Sequence, residues 1–143
     1  MKKNEPVSHI MTQHVYTVQQ RDRLQDAISI IRRHHIHHLP VKKGGEIVGM
    51  LSSSDIDRLC FDELFDEQEK IDDSMINMLS IQQVMTTHFK SVHENTSIKE
   101  VAEIFARNGF HALPVIDDKD LKGIVTTTDI IKYMLSLYQT ECK

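Results

Sequence analysis

Hydrophobic and polar positions along this chain predict the same pair of elements twice. A short alternating segment at residues 15–18, and another at 89–92, is typical of a half-buried strand. Each segment is followed by apolar residues at helical spacing, which predict an amphipathic helix. The helical positions are Leu24, Ala27, Ile28 and Ile31 in the first stretch and Ile98, Val101, Ala102 and Phe105 in the second.

Two further strands and a second helix complete each pattern. The strand pairs lie at 39–41 and 46–51, and at 113–115 and 121–126, with polar turn residues between the members of each pair. A second periodic segment, predicted as a helix, follows each pair. The order β-α-β-β-α, present twice, indicates an α/β fold in which helices cover small sheets.

The two patterns are copies of one another at a constant offset of 74 residues, with no gap between residues 10 and 130. A repeat of this kind indicates two copies of one supersecondary unit, neither of which buries its apolar face alone. We therefore expect one pseudo-symmetric module, with the first copy in residues 1–66, an acidic linker at 67–79 and the second copy in 80–143. The identical pairs include Met11 and Met85, Thr12 and Thr86, Pro40 and Pro114, Gly49 and Gly123, and Asp55 and Asp129.

Composition and charge narrow the classes of protein. The 143 residues are 40% hydrophobic and carry a net charge of −4, as in a water-soluble globular chain. Seven acids and one lysine between residues 62 and 73 account for the negative balance. No apolar run approaches the roughly 18 residues of a membrane span, so we expect a cytoplasmic protein with no membrane partner. The negative charge and the lack of an aromatic stacking surface disfavour nucleic acid as a partner.

Each copy has a Ser or Thr followed three residues later by Asp, at the predicted start of its last helix. The pairs are Ser52 with Asp55 and Thr126 with Asp129. One interpretation is a capping box that only starts the helix. The other interpretation uses the same geometry, because a helix N-terminus suits a phosphate and a carboxylate there can accept from the vicinal hydroxyls of a ribose.

The ordered elements of both copies resemble two CBS motifs, which together form a Bateman module. The resemblance covers residues 7–138, and no catalytic or DNA-binding domain is recognisable beside the motifs, as in the freestanding bacterial CBS-pair proteins. It is carried by VSHIMT, VYTV, HLPV and EIVGMLSSSDI in the first copy and by IQQVMT, FKSV, ALPV and LKGIVTTTDI in the second.

The resemblance implies a non-catalytic regulatory module that requires no cofactor. Its ligand would contain adenosine, as AMP, ADP, ATP or S-adenosylmethionine do, and would bind in the cleft between the motifs. The resemblance also implies a homodimer paired through the helices near 54–65 and 128–138. An effector protein, which the sequence does not identify, would read the bound state.

The family pattern also implies which residues would contact the ligand. Ribose and phosphate would lie against the helix starts, with a histidine of each copy pointing at the phosphates: Ser52, Asp55, Thr126 and Asp129, with His37 and His111. The adenine slot would be formed by two apolar side chains, by backbone, and by the chain near the first strands: Ile36 and Phe110, His38 and Ala112, Tyr16 and Lys90.

Two alternatives rest on the same residues. The chain could be a scaffold or dimerisation protein with vestigial clefts, in which each Asp only caps its helix. The crowded histidines at residues 34–38 raise zinc as a ligand, but only His37 has a histidine counterpart in the second copy, and the rings would diverge between a helix end and a strand start. We therefore predict no metal site, and no catalytic residue, because no nucleophile elbow is present.

Overall fold

The computed structural model describes residues 4–64 and 78–141, and the chain folds as two compact units. The first-copy unit comprises residues 16–89, and the second-copy unit comprises residues 1–15 with 90–143. Nearly all of the linker predicted at 67–79 lies outside the described residues. Of the helices in the described ranges, none has the length and apolar character needed to cross a membrane.

The first-copy unit contains a three-stranded sheet. Its strands lie in the order β1 (Val18–Gln19), β2 (His38–Lys43) and β3 (Glu46–Ser52). Strand β1 pairs with β2 in parallel, and β2 pairs with β3 antiparallel. Helix α2 (Ser53–Leu64) follows β3 without a loop. The predicted alternation of strands and helices is therefore confirmed here. The other two helices in the described residues of this unit are α1 (Leu24–His34) and α3 (Ile81–Val84).

The second-copy unit repeats the arrangement with one strand fewer. Strands β4 (Ala112–Asp117) and β5 (Asp120–Thr126) form an antiparallel hairpin. The strand predicted at 89–92 is reduced to a single parallel bridge between Val92 and Val115. Its counterpart in the first copy, β1, is only two residues long and pairs with β2 over two residue pairs. The other elements of this unit are a 3₁₀ turn (Val7–His9), α4 (Ile98–Asn108) and α5 (Thr127–Glu141).

The segment that precedes each copy's first strand joins the sheet of the other copy. Thr86 pairs with Met50 at the free edge of β3 through N–H···O bonds of 2.8 and 2.9 Å. Thr12 pairs in the same way with Ile124 of β5, at 2.8 and 3.0 Å. The compact units therefore cut across the boundaries of the sequence repeat.

Each unit has its own apolar core, to which the exchanged segment contributes a fully buried side chain. Ile81 packs with the first-copy core around Leu39 and Leu51, and Val7 packs with the second-copy core around Leu113. Full burial of one such side chain contributes about 1.5–3 kcal/mol. Each flanking segment is therefore attached to the other copy by apolar contacts as well as by the hydrogen bonds at the sheet edge.

A polar contact adds to this attachment in the second-copy unit. The Tyr133 hydroxyl on α5 donates to Oε2 of Glu5, at 2.5 Å. This hydrogen bond, with smaller effects from burial and from the negative charge of Glu5, raises the pKa of Tyr133 above its ordinary value of 10.0. The contact links the N-terminal segment to the last helix.

Candidate functional site

The Ser-Asp pair of the first copy forms a reciprocal cap at the start of α2. The Ser52 backbone N–H donates to Oδ2 of Asp55 at 3.1 Å, and the Asp55 N–H donates to Oγ of Ser52 at 3.1 Å. The other carboxylate oxygen, Oδ1, lies 3.5 Å from the Arg58 guanidinium. The Asp55 side chain is 20% exposed, so it is held in place but remains accessible.

The Thr-Asp pair of the second copy repeats this geometry at the start of α5. The Thr126 N–H donates to Oδ2 of Asp129 at 2.9 Å, and the Asp129 N–H donates to Oγ1 of Thr126 at 3.2 Å. Both caps use Oδ2 of the aspartate, which leaves Oδ1 outside the cap. Capping and ligand contact are therefore compatible roles for the same carboxylate, since an ionised carboxylate offers about four acceptor sites.

The two predicted phosphate-facing histidines lie beside these helix starts. The carbonyl of His37 accepts from the Ser53 N–H at 2.8 Å, and the carbonyl of His111 accepts from the Thr127 N–H at 3.0 Å. Both side chains are exposed, and Nδ1 of His37 lies 3.2 Å from Oγ of Ser53. Each histidine is thus joined through its backbone carbonyl to a helix N-terminus, a position whose partial charge is positive.

The residues predicted for the adenine slot are divided between the two units. Tyr16, Ile36 and His38 belong to the first-copy unit, as Lys90, Phe110 and Ala112 belong to the second. His38 pairs with Ser52 across β2 and β3, and Ala112 pairs with Thr126 across β4 and β5.

The side chains of this predicted slot differ in exposure. Ile36 and Phe110 are half-buried, each against the core of its own unit. Lys90 lines a groove of about 360 Å³ together with Arg107 and Asn108.

Tyr16 makes a contact that the sequence did not indicate. Its ring stacks on His34 at the end of α1, with centroids 3.8 Å apart and planes 14° from parallel. The aligned pair in the second copy is Lys90 and Asn108, which cannot stack in this way. The stacked pair is therefore a feature of the first copy, and Tyr16 remains 46% exposed.

The crowded histidines of residues 34–38 have separate structural roles. His34 stacks on Tyr16, whereas His35 forms the C-cap of α1 in the left-handed conformation, with φ of 52°. Its counterpart Gly109 adopts the same conformation without a Cβ penalty. His37 faces Ser53, and His38 begins β2.

Comparison with known proteins identifies the repeated unit. The family model for the CBS domain matches residues 7–62 and again residues 81–136. The chain belongs to the CBS domain family. It carries two CBS motifs in tandem, and the α/β fold expected for them is confirmed by solved CBS-pair structures.

Relatives of similar and of greater length share this tandem. The CBS domain-containing protein YhcV of Bacillus subtilis (strain 168) is 28% identical over 130 residues, covering 91% of this chain and 86% of the relative. Protein MJ1225 of Methanocaldococcus jannaschii is 30% identical over 132 residues, which are 91% of this chain but 47% of MJ1225. The chain thus spans about half the length of that relative.

Solved structures superpose on both motifs. The CBS domain pair of protein MJ0100, determined in complex with 5′-methylthioadenosine and S-adenosyl-L-methionine, superposes with a TM-score of 0.73 at 26% identity, covering 92% of this chain and 96% of that one. The structure of MJ1225 superposes with a TM-score of 0.78 at 27% identity, covering 94% of this chain and 49% of that one.

Proposed function

We propose that this CBS pair is a non-catalytic regulatory module that binds an adenosine-containing ligand at the N-termini of α2 and α5. The observation that carries the proposal is the geometry of the two caps. In each motif a half-buried aspartate is held by its own cap through Oδ2, while Oδ1 lies outside the cap. A ribose presents two adjacent hydroxyl donors, which match a fixed carboxylate oxygen.

The neighbouring groups support the same ligand class. A helix N-terminus carries a partial positive charge that favours phosphate, and His37 and His111 lie beside the two helix starts. The exposed Tyr16 ring offers a surface for a flat base in the first motif. The MJ0100 pair, which shares 26% of its residues with this chain, was solved with two adenosyl compounds. AMP, ADP, ATP and S-adenosylmethionine are therefore the ligands to screen.

Thermal unfolding of the whole chain tests the proposal directly. We expect at least one of AMP, ADP, ATP, S-adenosylmethionine and 5′-methylthioadenosine to raise the melting temperature, whereas ribose 5-phosphate, which lacks the base, should raise it less. A ligand present at 100 times its Kd adds about 2.7 kcal/mol to the free energy of unfolding. Unchanged melting at saturating concentrations of all five compounds would contradict the proposal and favour a scaffold whose aspartates serve only as caps.

We also propose that two chains associate through α5. The structure leaves four large apolar side chains exposed at spacings of three and four residues, which place them on one face of this helix. Isolated exposed apolar residues are ordinary, but an apolar stripe on a single helix face is typical of an interface. The stripe consists of Ile131, Met134, Leu135 and Tyr138, which are 51–64% exposed.

Light scattering on dilute samples tests this association. We expect the native chain to have a dimeric mass at micromolar concentration, and Ile131→Glu with Leu135→Glu to have a monomeric mass, because charges in an apolar interface lose their hydration. Ser136→Glu adds a charge at an exposed position of the same helix that is not three or four residues from any member of the stripe, and this variant should remain dimeric. A monomeric native chain, or a double variant that stays dimeric, would contradict the role of α5.

A further inference from the structure

We infer that the second-copy unit contains a binding site for a divalent transition-metal ion at His93, Glu94 and Asp117. These three side chains each offer one ligand atom, and the three atoms lie within 4.8 Å of one another. Within the described parts of the chain, this cluster is the one place where three potential ligands converge in this way. It is separate from the helix starts and from the crowded histidines of residues 34–38.

The loop that carries His93 and Glu94 is held by backbone hydrogen bonds. The His93 N–H donates to Oγ1 of Thr96 at 3.0 Å, and the Thr96 N–H donates back to the carbonyl of His93 at 3.0 Å. The Ser8 N–H donates to the carbonyl of Glu94 at 3.2 Å. Two of the three ligands therefore project from a closed turn that is also attached to the N-terminal segment.

The third ligand is brought to this turn by the sheet. Val92 donates to the carbonyl of Pro114 at 3.0 Å, and its own carbonyl accepts from the Ile116 N–H at 2.8 Å. This parallel pairing places His93 beside Asp117, the last residue of β4. Because the backbone on both sides is fixed, an ion would have to order little more than three side chains.

The contact between His93 and Asp117 already has nearly the separation that a shared ion would need. Nε2 of His93 lies 3.1 Å from Oδ1 of Asp117. Two ligands bound to tetrahedral zinc at about 2.0–2.1 Å are about 3.4 Å apart. An increase of a few tenths of an ångström is within the freedom of half-exposed side chains, and a water molecule would complete four-fold coordination.

The hydrogen bonds of the His93 ring show which proton has to move. The Asn95 N–H donates to Nδ1 at 3.1 Å, so Nδ1 is an acceptor and the neutral ring carries its proton on Nε2. Binding of an ion at Nε2 would require this proton to move to Nδ1, which would leave the ring neutral. The Asn95 N–H would then lose its acceptor, and the half-exposed His93 side chain rather than the backbone would adjust so that water can take its place.

The first copy has no equivalent of this cluster. The residues aligned with His93, Glu94 and Asp117 are Gln19, Gln20 and Lys43. The lysine would repel a cation, and Gln19 instead donates to the carbonyl of Gly44 at 3.3 Å. The turn that follows Asp117 in the second copy adds Asp118 and Asp120, which outnumber the single Lys119 between them and leave a negative balance that favours a cation.

The mixture of one imidazole and two carboxylates indicates the class of ion. Imidazole favours zinc, copper, iron and nickel over magnesium and calcium, whereas carboxylates accept either group. We therefore choose Zn²⁺ as the probe, with Mg²⁺ as the ion that the site should bind far less strongly.

Calorimetric titration of the metal-free full chain with zinc chloride tests the site. We expect saturable binding that falls about tenfold or more in His93→Gln and in Asp117→Asn, because each removes one of three ligands. Gln occupies the aligned position of the first copy, so His93→Gln is compatible with the fold. His9→Ala is the control, since it removes an exposed histidine paired with a single carboxylate and should leave zinc affinity unchanged.

Nuclear magnetic resonance locates the ion independently of affinity. Zinc should shift the amide resonances of residues 93–96 and 116–118, with a large shift at Asn95 as its acceptor is lost. Zinc affinity that is unchanged in His93→Gln, or shifts centred on residues 34–38, would overturn the assignment. Absence of any zinc-dependent shift would overturn it as well.

Discussion

Replacing Gly123 by Ala is expected to destabilise the second-copy unit by about 1–3 kcal/mol, the usual cost of overpacking a well-packed site. A Cβ at Gly123 would lie 2.7 Å from the carbonyl oxygen of Thr12 and 2.7 Å from Sδ of Met11. The Thr12 carbonyl belongs to the bridge with Ile124, so it cannot retreat without weakening the attachment of the N-terminal segment. Urea denaturation, followed by circular dichroism, measures the effect.

Gly49 provides the matched comparison in the other copy. Its Cβ would lie 2.5 Å from Sδ of Met85 but 3.1 Å from the Thr86 carbonyl oxygen, so the collision is mainly with the end of a flexible side chain. We therefore expect Gly49→Ala to cost less than Gly123→Ala. Met85→Ala should relieve the cost at Gly49, whereas Met11→Ala should relieve only part of the cost at Gly123.

A third glycine supplies the control for these variants. A Cβ added at Gly45 would meet no atom within 4 Å, and the residue has no positive φ, so Gly45→Ala should be close to neutral or slightly stabilising. Equal stability of Gly123→Ala and Gly45→Ala would show that the N-terminal segment does not dock over β5.

Replacing both Asp55 and Asp129 by Asn is expected to weaken binding of an adenosyl ligand by about tenfold to a hundredfold. This range corresponds to the roughly 1.5–3 kcal/mol of a hydrogen bond to a charged group. Asparagine keeps one carbonyl oxygen that can accept the Ser52 or Thr126 N–H, so the caps persist while the charge is lost. Calorimetry with AMP and with S-adenosylmethionine measures the change in affinity.

The expected stability of this double variant separates capping from ligand binding. Loss of a charge at each helix N-terminus should lower the free energy of unfolding by only about 0.3–1 kcal/mol per site. Asp57→Asn removes an exposed charge from the same helix without touching the cap and should leave affinity unchanged. An unaltered affinity in the double variant, for a ligand that binds the native chain, would restrict both aspartates to capping.

Much of the local structure could be predicted because its signals lie within a few residues. The Ser-Asp and Thr-Asp pairs form the reciprocal caps that their three-residue spacing indicates. The apolar periodicities at residues 24–31 and 98–105 lie in α1 and α4. The prediction failed in part at the first strands, because two or three alternating residues do not define how far a parallel pairing extends.

The contacts that bear on binding could be predicted less well, because they join distant residues. Tyr16 and His34 are separated by a strand and a helix, and no local pattern shows that their rings stack. The convergence of His93 with Asp117 depends equally on a parallel bridge between segments 23 residues apart, Val92 and Val115. The histidines crowded at residues 34–38 are more conspicuous in the sequence but do not converge, since adjacent residues in a chain seldom direct their side chains to one point.

The sequence by itself determined that the chain is a tandem of CBS motifs, because a constant offset of 74 residues, apolar periodicity and helix caps are all local or repetitive signals. Only the tertiary structure decided which sheet each flanking segment joins. Met11-Thr12 and Met85-Thr86 are identical, as are Gly123 and Gly49, so the pattern is equally compatible with docking on either copy. Chain connectivity and packing select the exchange, in which Met11 covers Gly123 and Met85 covers Gly49.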